Sequence, residues 1–249
     1  MTDYELFRYD LNSTSSNLKD LLISSQEYDI VYVDWVNGTD YIQRNAYAAE
    51  AVIKDINLKQ AQAGLTTNPI VILGLSMGGL CARYALKHME DNAVMHRTRL
   101  FVTYDTPHQG ANVPIGYQYL ANHGRHLFFQ TGIVGTAVET ISLIKQNKSL
   151  LTTLALASQP AARQMLINYV NDNNVVDNIF HDQWQLELTN LGYPQGDGQV
   201  PFRKIAISNG SECASLQTIA PNSNLFSYVG QGNGQVLSEF GIASTLLTT

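Results

Sequence analysis

Charge is scarce in this chain, and long apolar runs are missing. Lys and Arg number 15 and Asp and Glu 21 among 249 residues, so only 14% of the chain is charged. The basic residues form no run, which excludes a nucleic-acid footprint. No segment reaches the roughly 18 consecutive apolar residues of a transmembrane helix. The opening MTDYELFRYD has neither the basic nor the apolar region of a signal peptide. Cysteine is nearly absent: Cys81 and Cys213 lie far apart, and neither has a metal-ligand partner at short spacing. Cys81 reads as a buried free thiol on a helix.

Hydrophobic residues make up 45% of the chain, enough for a sizeable core and too many for disorder. The length fits one α/β domain, or one domain carrying an inserted cap. The net charge of -6 is spread along the chain. Asn, Gln, Ser and Thr stand in for charge, a composition that points to an exported bacterial protein, extracellular or in the cell envelope.

Periodicity supplies an element order. YDIVYVDW (28–35) is a short β-branched and aromatic run, expected to be a buried strand. In the following segment, 40–64, Ile42, Ala46, Ala49, Val52, Ile53 and Ile56 recur at three and four, which predicts an amphipathic helix closed by Gly64. After the break at Asn68-Pro69, IVILGLS (70–76) is fully apolar, as in the middle of a parallel sheet covered on both faces. A helix over 78–91 and a strand over 100–107 continue the alternation. Strands alternating with helices mean βαβ units and a parallel sheet. Residues 115–180 break this rhythm with helical stretches such as GTAVETISLIKQ and PAARQMLINYV, and are expected to form a helical cap or lid. A helix over 178–192, with Phe180, Trp184, Leu188 and Leu191 on one face, and a strand over 203–210 follow.

One short stretch carries chemistry. Gly74-Leu75-Ser76-Met77-Gly78 fits G-x-S-x-G, with an apolar strand before it and a helix directly after. Such a turn strains the serine backbone, so the residues two away must be small. The bend lifts the hydroxyl above the strand ends. The new helix aims its first N–H groups at the reacting oxygen, with Met77 N–H as an oxyanion donor. The competing reading is a Gly-rich turn whose serine merely caps the helix.

GLSMGGLCARYAL together with VTYDTPHQGANVPIG resembles bacterial lipase-like α/β-hydrolases. That broad group includes GPI-inositol deacylase-like and triacylglycerol-lipase-like proteins. Its strand after the nucleophile helix often ends in a Thr/Ser-Pro-His-x-Gly turn, matched by Thr106, Pro107, His108 and Gly110. The similarity runs from about Tyr28 to about Ser211. It implies an α/β-hydrolase-like fold, a mostly parallel sheet flanked by helices with a helical cap insertion. It also implies a serine hydrolase of carboxylic esters, acting on small-molecule or lipid esters without metal or cofactor. The alternative is a hydrolase-fold protein without turnover, used for binding or as a scaffold.

The acid is open between three carboxylates. Asp105 ends the strand LFVTYD, at the sheet edge where open α/β sheets bind ligands, and some lipases of this fold carry their acid there. Glu212 follows the strand KIAISNG, and Asp197 sits in QGDGQVP. For the base, the fold's order is Ser, acid, His. The histidines are His88, His96, His108, His123, His126 and His181. His181 alone satisfies that order, with Asp105 as the acid. His88 and His96 are expected to face solvent, and His108 in the resembling families is mainly structural. No Gly-rich loop after an earlier strand offers a second oxyanion donor. The expectation is therefore an interior piece of a longer protein.

Overall fold

The computed structural model describes residues 12–13, 16–65, 68–119, 122 and 156–208, with side chains from Asp20 onward. A two-stranded antiparallel pair, β1 (Asn12–Ser13) and β2 (Ser16–Asn17), leads into helix α1 (Leu18–Ser24). Then come α2 (Ile42–Gln62), β3 (Ile70–Leu75), α3 (Met77–Asp91) and β4 (Thr98–Tyr104). α4 (Pro160–Met165), α5 (Ile179–Leu191) and β5 (Arg203–Ile207) complete the set. β3, β4 and β5 form a parallel sheet in that order, with Leu75 beside Tyr104 and Tyr104 beside Ile207. The architecture is α/β: a small parallel sheet flanked by helices.

α2 follows its periodicity, burying Ile42, Ala46 and Ile53. Its first N–H, at Ile42, is satisfied from outside by Gln164 Oε1 at 2.9 Å. Its end is closed by Gly64 at φ +73, with Gly64 N–H donating to Ala61 O and Leu65 N–H to Gln60 O. That pair of bonds needs a left-handed residue, which glycine adopts without a Cβ penalty.

α3 is the organising element. Every residue from Gly79 to Leu86 is buried, because the helix is covered on two sides. One side meets the sheet: Ala82, Leu86 and Met89 cluster with Phe101 and Ile53, and Ile70 and Ile72 pack against them. The other meets α2 and α5: Leu80, Cys81, Tyr84 and Ala85 cluster with Ile42, Ala46, Trp184 and Leu188. Full burial of one such side chain is worth roughly 1.5–3 kcal/mol. Cys81 is a free buried thiol, and burial pushes its pKa up to about 12.

Two expectations need correction. Residues 28–35 are not a strand: they run without regular structure, and Tyr28, Val31, Tyr32 and Val33 are exposed. A strand exists only where a neighbour takes its hydrogen bonds, and β3 pairs with β4 alone among the described strands. β3 is for the same reason at an edge of the described sheet rather than its middle. Among the described residues it is covered on one face: Val71, Leu73 and Leu75 are 46%, 53% and 62% exposed. In the described part of the expected cap, Pro160–Met165 is helical, and Leu166 pairs with Ala111 and Val170 with Val176 in isolated bridges. Residues 120–121 and 123–155, the centre of that insert, lie outside the described residues.

Candidate active site

Ser76 sits where β3 ends and α3 begins. Its φ and ψ are 50 and -124, a conformation that costs a non-glycine residue on the order of 1–3 kcal/mol. The turn is pinned on both sides: Ser76 N–H donates to Tyr104 O at 2.8 Å, and Gly79 N–H donates to Ser76 O at 3.0 Å. Ser76 is the N-cap residue of α3, yet its hydroxyl makes no capping hydrogen bond. It is exposed. The capping role considered for this serine is therefore not the one it plays. Met77 opens α3, and the first donors of a helix have no carbonyl of their own to bond. Its N–H thus has no acceptor within α3.

The glycines around the serine are not equivalent. A Cβ at Gly74 would stand 2.7 Å from Gly79 N and closer still to its Cα. A Cβ at Gly79 would stand 2.8 Å from Thr106 Cγ2. Gly78, the second glycine of G-x-S-x-G, has nothing within 4 Å of that position. The helix packs on the strand through Gly74 and Gly79, and the signal for Gly79 was the Gly78-Gly79 doublet.

Asp105 occupies the equivalent place one strand over. Its N–H donates to Ile207 O at 2.7 Å, and its φ is 47. Two neighbouring strands thus each end in a left-handed non-glycine residue, Ser76 and Asp105, at one edge of the sheet. The turn after Asp105 closes through His108 N–H to Thr106 O at 2.8 Å and Gly110 N–H to Pro107 O at 3.0 Å.

His181 is buried on α5, with its ring against Gly110 of that turn. Its Nδ1 lies 3.0 Å from Gln164 O. A carbonyl only accepts, so Nδ1 carries a proton, and in the neutral ring the lone pair is on Nε2. Gln164 also caps α2 through its side chain, a linking role that no local pattern announced.

The other described histidines are engaged elsewhere. His108 Nε2 lies 3.3 Å from Thr103 Oγ1, and its ring meets Tyr193 edge-on. Burial, helped by the Arg83 charge, pushes its pKa down to about 4. His88 pairs with Glu50 at 2.8 Å, and Lys54 and His88 together outweigh burial to hold Glu50 below the usual carboxylate range. His96, expected at the surface, is fully buried. Its Nδ1 accepts Thr98 N–H at 3.0 Å and its Nε2 faces Glu90 at 3.4 Å.

Asp197 belongs to that second group. It accepts the N–H groups of His96 at 2.8 Å and Arg97 at 2.6 Å, just before β4 starts. This is the opposite end of the sheet from Ser76, so Asp197 clasps the strand starts and does not orient a base for the serine. His123, His126 and Glu212 lie outside the described residues. Among the described residues no histidine hydrogen-bonds to Ser76.

No family model, curated protein or solved structure matches the chain. Among the described residues no helix is long and apolar enough to cross a membrane, and no group of His, Cys, Asp and Glu is arranged to hold a metal ion.

Proposed function

We propose that the chain is a serine hydrolase of carboxylic esters built on an α/β-hydrolase-like framework, with Ser76 as nucleophile. The observation that carries this reading is the backbone of Ser76. A serine in this position ordinarily caps its helix, a contribution of about 1 kcal/mol. Ser76 gives no cap and bears strain instead. Stability therefore does not explain the residue, whereas an exposed, uncapping hydroxyl at a helix N-terminus suits nucleophilic attack.

In the proposed reaction Ser76 Oγ attacks the ester carbonyl carbon. His181 Nε2 takes the hydroxyl proton, and the oxyanion forms against Met77 N–H. Collapse breaks the ester C–O bond, and the proton passes from His181 to the leaving alcohol. Water then hydrolyses the acyl-enzyme with His181 again as base. Asp105 is the proposed acid, as it shares the sheet edge with Ser76 and precedes His181 in the chain; to orient His181 it must take over the Nδ1–H that Gln164 O holds in this structure. Catalytic hydrogen bonds are often long before substrate binds and tighten in the complex, consistent with the absence, among the described residues, of a histidine bonded to the Ser76 hydroxyl. Small-molecule or lipid esters are the proposed substrates.

The second reading is a hydrolase-fold protein that binds without turnover. It is favoured by one observation: each described histidine already has a partner other than Ser76. Stopped-flow hydrolysis of a p-nitrophenyl ester separates the two. The hydrolase shows a burst of one equivalent of nitrophenol, followed by turnover that Ser76→Ala and His181→Ala both abolish. Ester binding without a burst supports the binder.

A further inference from the structure

Thr106 fills the groove that Gly79 leaves in the first turn of α3. A Cβ at Gly79 would collide with Thr106 Cγ2 and Cβ, at 2.8 and 2.9 Å, and most severely with Oγ1. The same hydroxyl reaches Gly74 O at 3.5 Å, the long limit of a hydrogen bond, so shape matters more here than the bond. Gly74 in turn lies directly against Gly79. The end of β3, the start of α3 and the turn after β4 therefore meet in one three-residue lock, with Ser76 held between its parts. α3 cannot shift along β3 without displacing Thr106, the residue next to Asp105.

We propose that Thr106 is a positioning residue for the nucleophile. It fixes the start of α3 against β3, and so sets where Ser76 Oγ stands relative to Met77 N–H. It touches neither the hydroxyl nor a substrate. The proposal rests on the reading of Ser76 as the nucleophile. Its physical basis is that a misplacement of about 1 Å at a reacting group costs on the order of 100-fold in rate.

The test is the second-order rate constant for fluorophosphonate labelling of the full chain, measured well below the melting temperature, for wild type and three variants. Thr106→Val keeps both branches of the wedge, and labelling should stay within about threefold of wild type. Thr106→Ala empties the groove, and labelling should slow by about 10- to 100-fold. Thr106→Ser keeps only the branch nearest Gly79 and should fall between them, and it serves if the alanine variant does not fold. A purely structural role would lower the melting temperature of the alanine and serine variants while leaving their labelling rates at the wild-type value. That result overturns the proposal and leaves the nucleophile assignment standing. A wild-type chain that is not labelled at all overturns the nucleophile assignment and this proposal with it.

Discussion

Replacing the three glycines around Ser76 by alanine, one at a time, should give opposite signs at neighbouring positions. Gly78 is the second residue of α3, and its added Cβ meets nothing within 4 Å. Alanine is favoured over glycine in helices by up to about 1 kcal/mol. Gly78→Ala should therefore stabilise by about 0.5–1 kcal/mol. Gly74→Ala drives a Cβ to 2.7 Å from the backbone nitrogen of Gly79, and backbone cannot rotate away as a side chain can. Overpacking of this kind costs about 1–3 kcal/mol or more. Gly79→Ala meets the side chain of Thr106 and belongs in the same class. For a domain of this size 1 kcal/mol moves the melting temperature by about 2–4 °C. The expected spread between Gly78→Ala and Gly74→Ala is thus roughly 3–16 °C. Differential scanning fluorimetry and urea unfolding followed by circular dichroism both report it. Gly78→Ala as destabilising as Gly74→Ala would refute the assignment of the strand–helix contact to Gly74 and Gly79.

Three further outcomes follow from the same geometry. Ser76→Gly removes the strain at φ 50 and should stabilise the fold by about 1 kcal/mol while abolishing ester hydrolysis; Ser76→Ala, equally strained, should not stabilise. His108 binds a proton near pH 6.5 when unfolded but only near about 4 when folded, so the unfolded state holds more protons between these values. Stability should fall as pH drops through that window, by at most about 1.4 kcal/mol per pH unit, and His108→Gln should flatten the fall seen in urea titrations at several pH values. Burial disfavours the Asp197 charge, but the N–H groups of Arg97, Gln199 and His96, with the His96 imidazole, outweigh it and lower the pKa below 3.8. The stabilisation is present above that value and lost as pH falls through the folded pKa, so Asp197→Asn should cost about 1–3 kcal/mol at pH 7, with the cost shrinking as pH falls below 3.8.

What the sequence shows and hides divides along the range of the interactions. α2 and α5 are legible because their apolar positions repeat at helical spacing, and Ile42, Ala46, Trp184 and Leu188 are buried as that spacing requires. The turn at Ser76 is legible because its parts are consecutive. Residues 28–35 misled for a physical reason: β-branched composition makes a strand possible, but only an adjacent strand makes it real. His96 reads as a loop residue after a helix, yet Asp197, 101 residues away, closes over it. Thr106 was visible only as part of a motif, because its partner Gly79 lies in another element. The lock around Ser76, like the clasp at the far end of the sheet, depends on pairings that no local pattern carries.

The most direct measurement is covalent capture of Ser76. The intact chain would be treated with a fluorophosphonate, digested and mapped by mass spectrometry. The account predicts one phosphonyl adduct per chain, on the peptide containing Ser76, and none in Ser76→Ala. An unmodified wild-type chain, or an adduct that survives in Ser76→Ala, would contradict it.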